Sequence, residues 1–167
     1  MLKLQHKNIV LRSAADADAC QLAAWWNDGT VMAHAGFPNG LGIPVEEVRA
    51  NLNGNTLMIE ENGIAIGEAN YRMASSSAAQ IGIKICLAEY QNRGIGRIVL
   101  SMLIRHLFQN GCMEIMLDTD LENKRHVYAS LGFQKIRINQ NSWIDQLGNR
   151  RSSVDYILTP ENFIDHM

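Results

Sequence analysis

Apolar and polar positions change their period several times along this chain, and each change predicts an element. Ile9, Val10 and Leu11 predict a short first strand. Helix-start chemistry over 13–18 precedes apolar residues at helical spacing over 19–27, and Asp28-Gly29 ends that helix. Residues 30–44 carry several glycines and prolines and predict a loop with a helical turn; residues 45–52 predict a second helix. Residues 56–61 and 64–72 predict two strands joined at Asn62-Gly63, a hairpin signal. Ile81, Ile83, Ile85 and Leu87 alternate strictly, so 78–87 is a strand with one buried face. The longest helix spans 94–110 and stops at Gly111. Strands follow at 113–117, 133–139 and 153–158, with a short helix from Asn123 to Leu131-Gly132 between the first two. The class is α/β with a mixed sheet. The connection from 78–87 through the long helix to 113–117 predicts a right-handed crossover.

The length of 167 residues suits one domain, 1–167. A formal net charge of −2 with no basic run argues against a nucleic-acid footprint. No stretch reaches the roughly 20 apolar residues of a membrane span, and the polar start carries no signal core. Cys20, Cys86 and Cys112 are scattered and lack metal-ligand spacing. They predict buried thiols in a reducing cytoplasm, with no metal site.

The chemistry concentrates in Gln91-Asn92-Arg93-Gly94-Ile95-Gly96-Arg97, between a strand and the longest helix. Two glycines one residue apart let a ligand approach the backbone, and the unpaired amides of a helix start favour phosphates. A dinucleotide fingerprint needs a third glycine where Val99 stands; a P-loop needs Lys and Ser or Thr where Arg97-Ile98 stand. A tight strand-to-helix turn without ligand is the plain alternative.

Gln91-x-x-Gly94-x-Gly96, followed by Asn123, Tyr128 and Leu131-Gly132-Phe133, resembles the GCN5-related N-acetyltransferase family from about residue 8 to 160. Trp26-Asn27-Asp28 with Val31-Met32 resembles its ribosomal-protein-acetylating branch. The resemblance implies a mostly antiparallel central sheet with splayed strands and flanking helices. It implies acetyl-CoA as co-substrate, no metal, and direct transfer to an amine in a ternary complex. The implied acceptor is a protein N-terminus or a small amine, and a homodimer is an allowed state. An acetyl-CoA-binding sensor or partner subunit with little catalysis is the alternative class.

Residue by residue, the resemblance implies that Gln91, Asn92, Arg93, Gly94, Ile95, Gly96 and Arg97 meet the pyrophosphate. The main chain of Ile85 and Leu87 meets the pantetheine arm, and the Leu87 amide polarises the thioester carbonyl. Asn123 touches the cofactor or simply caps its helix. Tyr128 sits near the sulfur and protonates the departing thiolate, or is a core tyrosine. Many members carry a glutamate on the strand before the loop; here Gln80-Ile81-Gly82-Ile83-Lys84-Ile85 holds no carboxylate. The base therefore falls to Glu68 first and Glu89 second, with a water chain as the remaining choice. Trp25, Trp26, His34, Phe37 and Trp143 are the acceptor-side candidates. Core packing of Trp26 with partial exposure of Trp25 is the plain alternative.

Overall fold

The computed structural model describes residues 1–121 and 125–167, and eight strands in it form one sheet. β1 (Lys3–His6) and β2 (Ile9–Ser13) make an antiparallel hairpin. β2 is the expected first strand; β1 is an addition. Leu2 and Leu4 alternate onto the core, but this run of two apolar residues in a polar start is too short to predict a strand. β3 (Thr56–Glu61), β4 (Ile64–Met73) and β5 (Ala78–Ile85) continue the antiparallel order. Asn62 and Gly63 both have positive φ, 52° and 79°, which is the backbone a two-residue hairpin turn requires.

β6 (Glu114–Asp120), β7 (Gln134–Ile144) and β8 (Arg150–Leu158) complete the order β1-β2-β3-β4-β5-β6-β8-β7. β5 and β6 run parallel, joined by α4 (Ile95–Gln109). All three late strands extend beyond their expected limits. β7 gains residues 140–144, which are mostly exposed, so burial left no period in the sequence there.

The two sheet faces are covered differently. α4 lays Val99, Leu100, Leu103, Ile104 and Leu107 onto one face, with Leu11, Ile59, Ile66, Ile81, Ile115 and Leu117. Burying each such side chain stabilises the fold by about 1.5–3 kcal/mol. α5 (Arg125–Ser130) ends beside this core, into which Leu131 and Phe133 insert. The other face carries α1 (Ala19–Trp26), α2 (Gly29–Met32) and α3 (Val45–Ala50), whose core holds Leu22, Trp25, Val48, Met58 and Cys86. Cys86 and Cys112 are buried, but Cys20 is exposed on α1, which corrects the expectation of three buried thiols. Among the described residues no helix is long and apolar enough to cross a membrane.

β5 and β6 pair only at Ala78–Glu114, Ala79–Ile115 and Gln80–Met116. Beyond those three pairs β5 stays bonded to β4 and β6 to β8. The strands diverge and leave a crevice between them. At its wide end the amides of Cys86 and Leu87 both donate to the Ile66 carbonyl, at 2.8 and 3.2 Å. Two residues against one acceptor form a β-bulge, which bends the end of the strand. Gly67 makes room for it: a Cβ there would collide with the Lys84 carbonyl. Gly67→Ala is therefore expected to lower stability by about 1–3 kcal/mol, because the obstacle is backbone. Chemical denaturation checks this; a loss under about 0.5 kcal/mol would mean the bulge adapts freely.

Candidate active site

The crevice between β5 and β6 has a volume of about 570 Å³ and opens to both sides of the sheet. Side chains alternate along a strand, so each wall offers two kinds of residue. Toward α4 and α5 the lining is Ile81, Ile83, Leu100, Leu117, Thr119 and Tyr128. Toward α1 and α2 it is Glu68, Asn70, Gly82, Lys84, Asp118 and Asp120, with Ser153 from β8. His34 and Ala35 before the 36–44 loop, and Ser142 and Trp143 on β7, border that second side. One side is apolar with two hydroxyls, and the other is polar and charged.

Glu68 is 6% exposed. Its register partner across β4 and β5 is Lys84, and the Trp26 indole N–H donates to its carboxylate. Burial pushes its pKa up, against the opposing pull of Lys84 and Trp26. The Lys84 ammonium also donates to Met32 Sδ at 3.1 Å. On the other side, the Tyr128 side chain hydrogen-bonds with Thr119 and packs against Phe133 and Tyr156. Burial raises its pKa as well, so the phenol stays protonated at neutral pH. Cys86 lies next to the crevice wall, but burial, with the Glu68 charge, pushes its thiol up to about 12. A thiol so rarely ionised is a poor acyl carrier.

The loop 91–97 sits at the wide end of the crevice. Asn92 and Gly94 have positive φ, 60° and 78°, and no side chain caps α4 at Gly94. Its first amides thus lack intrahelical partners. Space is open around Gly94, and a Cβ on Gly96 would meet only Ile83 Cδ1 at 3.9 Å. The Gln91 side chain donates to the Ile85 carbonyl at 2.8 Å, tying loop to strand. Ile95 turns into the core. Arg97 Nε is buried without a partner among the described residues. An open strand edge, an uncapped helix start and an orphaned guanidinium nitrogen fit an extended ligand with a phosphate end.

Several expectations need correction. Trp25 is 5% exposed and packs in the α1 core, so it is no acceptor-side residue, whereas Trp26 is half-buried and reaches Glu68; the plain alternative had the two the other way round. Trp25 and the exposed Phe37 do not line the crevice. Arg93 approaches Glu61 at 3.6 Å and stacks over Tyr90. The Leu87 amide is not a free donor, because it shares the Ile66 carbonyl. Glu89 is exposed in a single helical turn, outside the crevice lining. Asn123 lies outside the described residues. Glu68, Tyr128, His34 and Trp143 do line one crevice, and Trp26 touches it only through Glu68. Lys84 and Asn70 join them unannounced; their signal was the opposite parity of strands read only for their apolar face.

Known proteins give this geometry its context. The model of the acetyltransferase (GNAT) family matches residues 4–133. The chain belongs to the GNAT family of acetyltransferases. This GNAT chain is 32% identical over 101 residues to a ribosomal protein bS18-alanine N-acetyltransferase of Haemophilus influenzae, covering 60% of the chain and 68% of the relative. Its fold matches a spermidine N-acetyltransferase from Vibrio cholerae solved with CoA and spermine. The TM-score is 0.82 at 16% identity, over 94% of this chain and 98% of that one. It also matches yncA from Salmonella typhimurium, solved with acetyl-CoA, at a TM-score of 0.75 and 20% identity, over 91% and 94%. The GNAT chain is an N-acetyltransferase with acetyl-CoA as co-substrate, and its open, mostly antiparallel sheet is the acyl-CoA N-acyltransferase fold. Among the described residues no group of His, Cys, Asp or Glu is placed to hold a metal.

The buried carboxylate makes a stability prediction. A raised folded pKa gives stability that is complete below the unfolded value and lost as pH rises through the folded one. Glu68→Gln is neutral throughout. Its melting temperature should exceed that of the wild type by more at about pH 8 than at about pH 4.5. Thermal melts at both pH values check this, and an equal difference at both contradicts it.

Proposed function

We propose that this chain transfers the acetyl group to a primary amine by direct attack across the splayed strands, with Glu68 as general base and Tyr128 as general acid. The observation that carries the proposal is the buried Glu68 carboxylate on one side of the crevice, with the protonated Tyr128 phenol on the other.

Bound acetyl-CoA supplies a thioester whose leaving group is a thiolate. The residues fitted to hold it are the backbone of Asn92 to Arg97 and the Arg97 guanidinium at the phosphates. The open edge of β5 from Ile81 to Ile85 receives the extended arm. The acceptor approaches from the Glu68 side. A primary amine has a pKa of about 10.4 and arrives protonated. Glu68 takes that proton on a carboxylate oxygen. Burial raises its affinity for the proton, while Trp26 and Lys84 keep the charged form accessible. The amine nitrogen bonds to the thioester carbonyl carbon and the C–S bond breaks. Tyr128 gives its phenolic proton to the leaving sulfur. The new amide nitrogen sheds its second proton to solvent, and Tyr128 is reprotonated from solvent. Cys86 takes no part, because its thiol stays protonated.

The acceptor is a protein N-terminal amine. The support is the relative that acts on the alanine of ribosomal protein bS18. Three free cysteines suit a reducing compartment such as the cytoplasm.

Steady-state thiol release with an N-terminal alanine peptide tests the roles. Glu68→Gln should lower kcat/KM about 10²–10⁴-fold and abolish the acid limb of the pH profile. Tyr128→Phe should lower kcat with little change in acetyl-CoA affinity. An unchanged acid limb in Glu68→Gln would remove Glu68 from the reaction.

A further inference from the structure

Gln146, in the turn between β7 and β8, holds the loop on the far side of the crevice through three hydrogen bonds. Its backbone N–H donates to the Gly36 carbonyl at 2.8 Å. Its side-chain oxygen accepts from the Asn39 amide at 2.8 Å, and its side-chain nitrogen donates to the Gly40 carbonyl at 2.8 Å. Trp143 lies so close to Gly36 that a Cβ there would strike the indole ring. Both partners are braced. Asp145, buried beside Gln146, accepts from the amides of Leu147 and Asn149 and from Arg151 Nε, each at 2.9 Å. Arg151 also bonds Asp120 on the crevice wall at 3.2 Å and stacks on Trp143. Across the gap, Asn27 exchanges two side-chain bonds with Ile43, closing the loop that Gln146 holds.

The loop follows α1 and α2 over the β4–β5 half of the sheet, and the hairpin belongs to the β6–β8 half. A contact between them spans the crevice on its polar, Glu68 side. Toward the end where β5 and β6 still pair, a second hollow of about 190 Å³ adjoins the crevice, shares Leu117 and Asp118 with it, and continues over Met116, Arg137 and Asp155. We propose that residues 34–40, fastened by Gln146 and Trp143, bridge the splayed strands, so that the acceptor amine must sit at the end of a slender, extended chain entering past Asp118. The proposal rests on the transfer reaction argued above and adds the shape of its acceptor. An amine fixed to a bulky rigid ring cannot pass below the bridge.

The test is thiol release with three acceptors: a tetrapeptide amide with a free N-terminal alanine, spermidine, and an aminoglycoside. At least one slender acceptor should exceed the aminoglycoside by about 30-fold or more in kcat/KM, the scale of a steric exclusion. Gln146→Ala keeps the backbone bond and loses the two side-chain bonds. It should shrink that ratio to below about 5-fold, chiefly through the aminoglycoside, with the acetyl-CoA KM within about twofold. Hydrogen exchange over residues 33–40 should quicken in the same variant while α4 stays protected. If Gln146→Ala fails to fold, Gln146→Glu keeps the acceptor for the Asn39 amide but sets a repelling carboxylate oxygen against the Gly40 carbonyl, and should move the ratio the same way. Equal use of all acceptors by the wild type, or an unchanged ratio in a folded variant, overturns the bridge. Absence of transfer to every acceptor overturns the transfer reaction itself, and the bridge with it.

Discussion

The whole candidate site depends on two neighbouring parallel strands that stop pairing after three residues. A buried strand edge normally cannot afford that, because each unpaired N–H and C=O needs a partner. β5 and β6 tolerate it because each is fully bonded on its other side, to β4 and to β8. The sheet survives the gap, and the gap passes through it from face to face. The open edge from Ile81 to Ile85 is a row of hydrogen-bonding groups that an extended ligand can satisfy as a strand would.

The same gap separates two environments. Strand parity alone puts Ile81, Ile83 and Leu117 toward α4, and Glu68, Lys84 and Asp118 toward α1 and α2. In the proposed transfer a thioester and an ammonium would each meet the surroundings that suit it, from opposite faces of the sheet. The raised pKa of Glu68 and that of Tyr128 have the same first cause, burial, yet in the proposed reaction they would serve opposite ends. One carboxylate holds a proton more readily than usual, and one phenol keeps its own.

The frame of this fold was legible because burial wrote a period into it. The alternation through Ile81 to Leu87, the Asn62-Gly63 turn and the apolar stripe of the 94–110 helix each report one dry face. Residues outside that periodicity stayed silent. β1 turns only Leu4 toward the core, beside buried Leu2, too short an alternation to stand out, and residues 140–144 are mostly exposed, so burial wrote no period there. Trp25 and Trp26 show a subtler failure. Composition says that two adjacent tryptophans must divide between core and groove, but only the phase of α1 against Met58 and Glu68 decides which goes where. Gln146 was invisible for another reason: its partners are the main chain of residues more than a hundred positions away.

In the proposed reaction, acetyl donor and amine acceptor meet in the gap from opposite faces. A crystal structure with a bisubstrate analogue, CoA joined through an acetyl link to the amine of a short peptide, tests this most directly. The pantetheine arm should lie on the α4 side and bond the β5 edge between residues 81 and 87. The peptide should leave past Glu68, beneath the span between Gly36 and Gln146. Both halves of the analogue on one face of the sheet, or a peptide leaving anywhere but the Glu68 side, would contradict it.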